Sequence, residues 1–289
     1  MVPKRRGEAM QAVRTLFRLV RVEALKFWQK PVTIVVLAMM FIGPIIMEIL
    51  LASFSIRDAT FPRISQIMFA PDTLLIIALM TVVLSVLALG NDYELGTVPV
   101  ILSRGVERYQ FILSKIIPTV LSAWLNGMVF ITAGLVSIFV VHVLSDSAPF
   151  FTAAGEHILW RALAASMMIG LVNFVLSGAV MLGLVLGRNS WVGMLTGLGY
   201  FFADFFVGGI GSGSILGVKD AYRYTFTYHA LSIFERFFTS DPRLSIPRAW
   251  FGAGFDDPWH ALFILLLIGV TLSAASIFLF RRQDLMAKT

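Results

Sequence analysis

The chain has 289 residues, 58% of them hydrophobic and 14% charged, with no cysteine and a formal net charge of +6. A soluble domain carries about 25% charged residues, so the composition excludes an ordinary water-exposed surface and points to a single transmembrane domain over 1–289. The basic residues sit mainly beside apolar runs, as membrane-flanking charge does, which sets nucleic acid aside as a partner; the lack of cysteine excludes disulfides, thiolate metal sites and cysteine nucleophiles.

Residues 8–30 read as an interfacial amphipathic helix. At about 100° per residue, Val13, Leu16, Phe17, Val20, Ala24, Phe27 and Trp28 gather on one side. Arg14, Arg18 and Arg21 flank one edge of that stripe, and Lys26 and Lys30 the other. A helix of this kind lies in the membrane interface with its cations reaching toward headgroups, and turns into the bilayer at Pro31. Packing of the same face on a soluble partner is the alternative. No short apolar core with a small-residue cleavage pattern precedes Pro31, so no signal peptide is expected.

Apolar runs follow at 31–56, 73–90, 116–144, 157–187, 190–210 and 259–280. A bilayer core requires roughly 20 residues at 1.5 Å rise per residue, and a helix satisfies its own backbone hydrogen bonds there. The expected fold is therefore an all-α membrane protein with six transmembrane helices. Lys4, Arg5 and Arg6 at the start and Arg281, Arg282 and Lys288 at the end place both termini in the cytoplasm, together with the 91–115 connection and its Arg104, Arg108 and Lys115. The 211–258 connection then lies outside, its basic residues matched by Asp220, Glu235, Asp241, Asp256 and Asp257.

Enzyme signatures do not emerge. No Gly-x-x-x-x-Gly-Lys-Ser/Thr loop is present, so the chain is expected to bind no nucleotide or other cofactor of its own. Gly208, Gly209, Gly211, Gly213 and Gly217 have the wrong spacing for a phosphate loop and read as the end of the fifth run. Ser212 has no triad motif with His229 or His260, and the histidines at 142, 157, 229 and 260 lack metal-ligand spacing.

The 91–115 connection is the most specific stretch. Thr97 is suited to cap a short helix, Pro99 is tolerated in its first turn, and Gly105 is suited to stop it. Val98, Ile101 and Leu102, exposed to the cytoplasm on such a helix, need somewhere to be buried, and a groove on a soluble partner is one answer.

These features resemble the ABC-2 type permease family. The resemblance rests on Glu23 and Lys26 in the amphipathic helix, then Glu94, Gly96, Thr97, Leu102, Ser103 and Arg108, a lysine opening the third run at Lys115, and the charged tail Phe280-Arg281-Arg282-Gln283-Asp284-Leu285. Gly105 stands near where many relatives carry proline. The resemblance implies that 91–108 is a coupling helix seated on a separate cytoplasmic ABC ATPase subunit, which binds the ATP and Mg. It also implies a second permease subunit, a cell-membrane location, outward movement of a hydrophobic or amphipathic solute, and an outer 211–258 segment that folds partly back into the membrane.

Glu48, Arg161 and Asp204 fall inside apolar runs, where ionisable groups are costly and face partners or a water-filled path. Counting from the outer ends puts Glu48 and Asp204 roughly 10 Å deep and Arg161 about 5 Å deep. The expectation is that Arg161 pairs with Asp204 or Glu48, as an outer gate or as a static tie between helices. Gly183, Gly187, Gly193 and Gly197 suggest a close helix pair, within one chain or between subunits. Two rival classes stay open: a self-sufficient secondary transporter or channel, which needs paired ion sites near the midplane, and a membrane enzyme.

Overall fold

The computed structural model describes residues 3–53, 71–144, 158–209, 221–238 and 257–283. In chain order the helices are α1 (Pro3–Trp28), α2 (Pro31–Ser53), α3 (Pro71–Glu94), α4 (Thr97–Ser103), α5 (Arg108–Leu144), α6 (Ile158–Gly187), α7 (Ser190–Gly209), α8 (Phe226–Phe238) and α9 (Pro258–Arg282), with a 3₁₀ turn at Ala221–Tyr224 before α8. Among the described residues α3, α5, α6, α7 and α9 are each long and apolar enough to cross a membrane, and α1 with α2 form a further pair bent by 69°. The chain is a multi-pass, all-helical membrane protein.

Two boundaries differ from the apolar runs. Helix α5 begins at Arg108, well before residue 116, and α3 continues through Asn91 and Asp92 to Glu94. Hydropathy marks where a helix meets lipid, whereas backbone hydrogen bonding continues into the polar layer beyond it. The described connection between α3 and α5 is correspondingly tighter than 91–115 implies.

Helix α6 is the centre of the bundle and packs on α3, α5, α7 and α9. Its apolar stretch is 78% buried, against 22% for those of α7 and α9, the distinction between a helix surrounded by protein and one with a lipid-facing side. Two polar rungs fix its register. Thr81 on α3 donates to Asn173 Oδ1 on α6 at 2.7 Å, and one turn along Ser85 meets Ser177 at 3.0 Å. Asn173 in turn donates to Ala123 O on α5 at 2.9 Å. Both helices carry these groups four residues apart, so one alignment satisfies both rungs.

The small residues join α6 to α7 within this one chain. A Cβ at Gly183 would meet Thr196, one at Gly187 would meet Val192, one at Gly193 would meet Leu184 and one at Gly197 would meet Val180. Only hydrogen at these positions allows the backbones so close. Helix α8 is buried among α6, α7 and α9; Phe226, Tyr228, Ala230 and Ile233 are each under 5% exposed. Tyr200 on α7 stacks on Phe226 with ring centroids 5.6 Å apart.

Candidate functional site

The ends of α1, α3, α5 and α9 and the short α4 meet at one end of the bundle, and the site is built there. On α3, Ser85, Leu89 and Asp92 fall at helical spacing on one face; Ser85 and Leu89 are fully buried, and the same face carries the Asp92 carboxylate inward. Helix α3 ends at Glu94, and Gly96, at φ 63°, reverses the chain in the left-handed region that favours glycine. Gly96 is thus the residue preceding α4, and Thr97 is its first helical residue rather than its cap. The Thr97 hydroxyl donates to Asp92 Oδ1 at 2.9 Å instead, pinning α4 to the end of α3. Gly105, at φ 84°, follows the last turn of α4, as the sequence suggests.

Lys115 sits two turns into α5 with its side chain 2% exposed, and its ammonium bridges Glu23 Oε2 on α1 and Asp92 Oδ2 on α3. Each carboxylate divides its oxygens between two donors. Asp92 takes Thr97 on one and Lys115 on the other, while Glu23 takes Lys115 and, at 2.9 Å, Lys26. Lys115 also lies 5.4 Å from the centre of the Phe111 ring. A buried ammonium requires this pairing, since either partner left alone would be an uncompensated charge. One lysine thereby ties α1, α3, α4 and α5 into a single unit.

A second tie closes the same end. Arg108 Nη1 donates to Arg281 O at 2.8 Å and to Gln283 O at 2.6 Å, a cation placed where the last carbonyls of α9 face outward. Gln283 reaches on to Val185 O near the end of α6. Phe111 stacks on Phe280 at 5.6 Å beneath these contacts.

The apolar face of α4 points opposite to expectation. Val98 is buried, and Ile101 and Leu102 pack half-buried on a cluster containing Phe111, Ile112 and Phe280. The exposed apolar side chains here are Leu95 at 75%, in the turn before α4, and Val100 at 52%, on the helix itself. A helix this short spends one side on its own bundle, and helical spacing cannot say which side. Glu94 and Ser103 are exposed, with the Ser103 hydroxyl turned back to Val100 O. Beside α4, a groove of about 440 Å³ is lined by Pro99, Leu102, Val106, Glu107, Tyr109 and Arg281 among others.

On α1 the single apolar stripe divides in two. Phe27 is buried, with Leu16, Val20, Glu23 and Ala24 half-buried on the same side, while Val13 at 67% and Phe17 at 71% stay exposed beside exposed Arg14, Arg18 and Arg21. Lys30, at the turn into α2, donates to Leu87 O on α3 at 2.5 Å.

Asp204 on α7 accepts from Phe226 N at 2.7 Å, Thr227 N at 3.0 Å and Thr227 Oγ1 at 2.5 Å. It therefore caps the start of α8 from a neighbouring helix. The side chains of Glu48 and Arg161 lie outside the described residues, as do residues 210–220, which hold Ser212 and much of the glycine cluster. His229 and His260, distant in sequence, stand edge to face with centroids 6.4 Å apart. Among the described residues no three His, Asp or Glu side chains converge as metal ligands would.

Sequence reasoning singled out Glu23, Lys26, Thr97, Arg108 and Lys115, which the structure gathers at this end, but passed over Asp92. Its signal was the spacing 85, 89, 92 on the buried face of α3. No protein-family model matches the chain, and no curated protein matches it.

Proposed function

We propose that the chain is the membrane-spanning subunit of an ABC-2 type exporter, driven through α4 by a separate cytoplasmic ATPase subunit. The observation that carries this reading is α4 itself. It is a short helix that presents Val100 outward, with Leu95 exposed in the turn just before it, while Thr97, Asp92 and Lys115 wire it to α1, α3 and α5. Apolar groups displayed at a charged end of a membrane bundle suit a protein partner, and a helix linked to three others suits the transfer of motion.

Charge supports the orientation. Arg14, Arg18, Arg21, Lys26, Lys30, Arg104, Arg108, Lys115, Arg188, Arg281 and Arg282 belong to α1 or to elements at the α4 end, against Arg161, Arg223 and Arg236 in the described elements away from it, an excess that suits a cytoplasmic side. With α2 as a further crossing, six spans then leave both termini on the cytoplasmic side of the cell membrane. On this reading α8 re-enters from the outer side, because Asp204, which caps it, lies roughly 7 Å back from the end of α7. The second permease subunit and the amphipathic solute come from the family resemblance.

The test is Leu95→Asp combined with Val100→Asp, purified from native membranes. The ATPase subunit is expected to be lost from the preparation while the thermal unfolding midpoint of the chain stays at its parent value. Copurification of the ATPase at the parent ratio would overturn the docking assignment.

A further inference from the structure

We infer that the recess between α1, α2, α3 and α5 holds the phosphate of an anionic phospholipid headgroup. The recess has a volume of about 500 Å³, and its polar lining includes Lys26, Gln29, Lys30, Asn91 and Lys115. That is the size of a small-molecule site, roughly 300–1,000 Å³, and larger than a single ion needs. The inference rests on the membrane character of the chain and does not require the exporter reading.

Charge bookkeeping at the recess favours an anion. Three lysines, Lys26, Lys30 and Lys115, face it against two carboxylates, Glu23 and Asp92. The ion pairs among the described residues commit both carboxylates to Lys115 and Lys26. Lys30 enters none of them, and among the described residues its ammonium donates to the Leu87 carbonyl. Burial, and then the neighbouring Lys115 charge, hold the Lys30 ammonium below the ordinary lysine range, although Asp92 and Glu23 act in the opposite sense. A phosphate oxygen beside Lys30 supplies the missing counter-charge, and the Gln29 and Asn91 amides add neutral donors.

Position selects the lipid as the source of that phosphate. The recess lies at the 69° bend between α1 and α2. There a basic helix gives way to one whose exposed side carries Val32, Ile34, Val35 and Met39, the level at which headgroups stand. Trp28 and Val32, on either side of the lining residues 29–31, are exposed and apolar. An anion entering here enters alongside acyl chains.

The experiment measures acetylation of Lys30 by acetic anhydride at mildly alkaline pH, read by peptide mass spectrometry on the full chain in detergent micelles. Doping the micelles with phosphatidylglycerol at three times its Kd is expected to reduce Lys30 labelling about fourfold, the fall in the unliganded fraction. Phosphatidylcholine and inorganic phosphate at the same concentration are expected to leave it unchanged. Equal protection by phosphatidylcholine, or none by phosphatidylglycerol, overturns the site. Equal protection by inorganic phosphate assigns it to a soluble phosphate compound, and protection seen only with a bound protein partner assigns it to that partner; each overturns the lipid. Lys30→Gln should also abolish the rise in thermal midpoint that phosphatidylglycerol produces, and a persisting rise contradicts the inference. If that variant does not fold, Gln29→Ala is expected to weaken the same rise, and the labelling of the parent chain decides independently.

Discussion

Replacing Lys115 with methionine probes the tie at the α4 end, because it keeps an unbranched apolar stem only one atom shorter and removes the ammonium with its charge and donors. The Lys115 side chain is 2% exposed, and its loss leaves Glu23 and Asp92, 12% and 16% exposed, facing each other. Removing one partner of a fully buried ion pair costs about 3–5 kcal/mol. Here each carboxylate keeps one other donor, Lys26 or Thr97, and both line a recess that water can enter. The cost is therefore placed at about 2–4 kcal/mol, shifted below that range by the partners that remain. For a domain of this size that lowers the unfolding midpoint by about 3–7 °C. The assay is the fraction of purified chain that stays monodisperse by size-exclusion chromatography after heating in detergent. Adding Glu23→Gln and Asp92→Asn to Lys115→Met removes the uncompensated charges and is expected to restore at least half of the loss. A single variant melting within about 1 °C of the parent would mean that the pairing contributes little. A triple variant no more stable than the single one would trace the loss to packing and refute the electrostatic explanation.

Three further substitutions test how the bundle is held. Asp204→Ala strips the acceptors from Phe226 N and Thr227 N and is expected to cost about 2–4 kcal/mol, with hydrogen exchange speeding up first at the start of α8; unchanged exchange there would show that the carboxylate does not cap it. Gly183→Ala drives a Cβ toward Thr196 and to 3.0 Å from Val192 O, whereas a Cβ at Gly199 meets nothing within 4 Å. The first should lose about 1–3 kcal/mol as overpacking does and the second almost nothing, measured as paired thermal midpoints; equal effects would contradict the close α6–α7 contact.

The apolar runs and the class of fold were legible because a lipid-crossing chain must satisfy its backbone within each segment, which sets both length and composition. Gly183 through Gly197 announced a close helix pair for a similarly local reason. Glu23 stood out only through the family resemblance, and Lys26, Thr97, Arg108 and Lys115 also through their places near apolar runs, yet nothing local said that one ammonium would join two carboxylates from different helices. Asp92 was passed over at the end of its run, although the face it shares with Ser85 and Leu89 turns inward. Val98 and Leu102 were assigned outward, and packing on Phe111 and Phe280 turned them inward.

The sequence by itself determined that this is an all-helical membrane protein with a basic, charge-bearing end, since periodicity, length and the cost of unpaired backbone groups in lipid act within single segments. Tertiary structure decided which charges pair, which face of α4 remains outside and which helix occupies the centre. Those outcomes depend on what a side chain meets across the bundle, and that partner is supplied by residues distant along the chain.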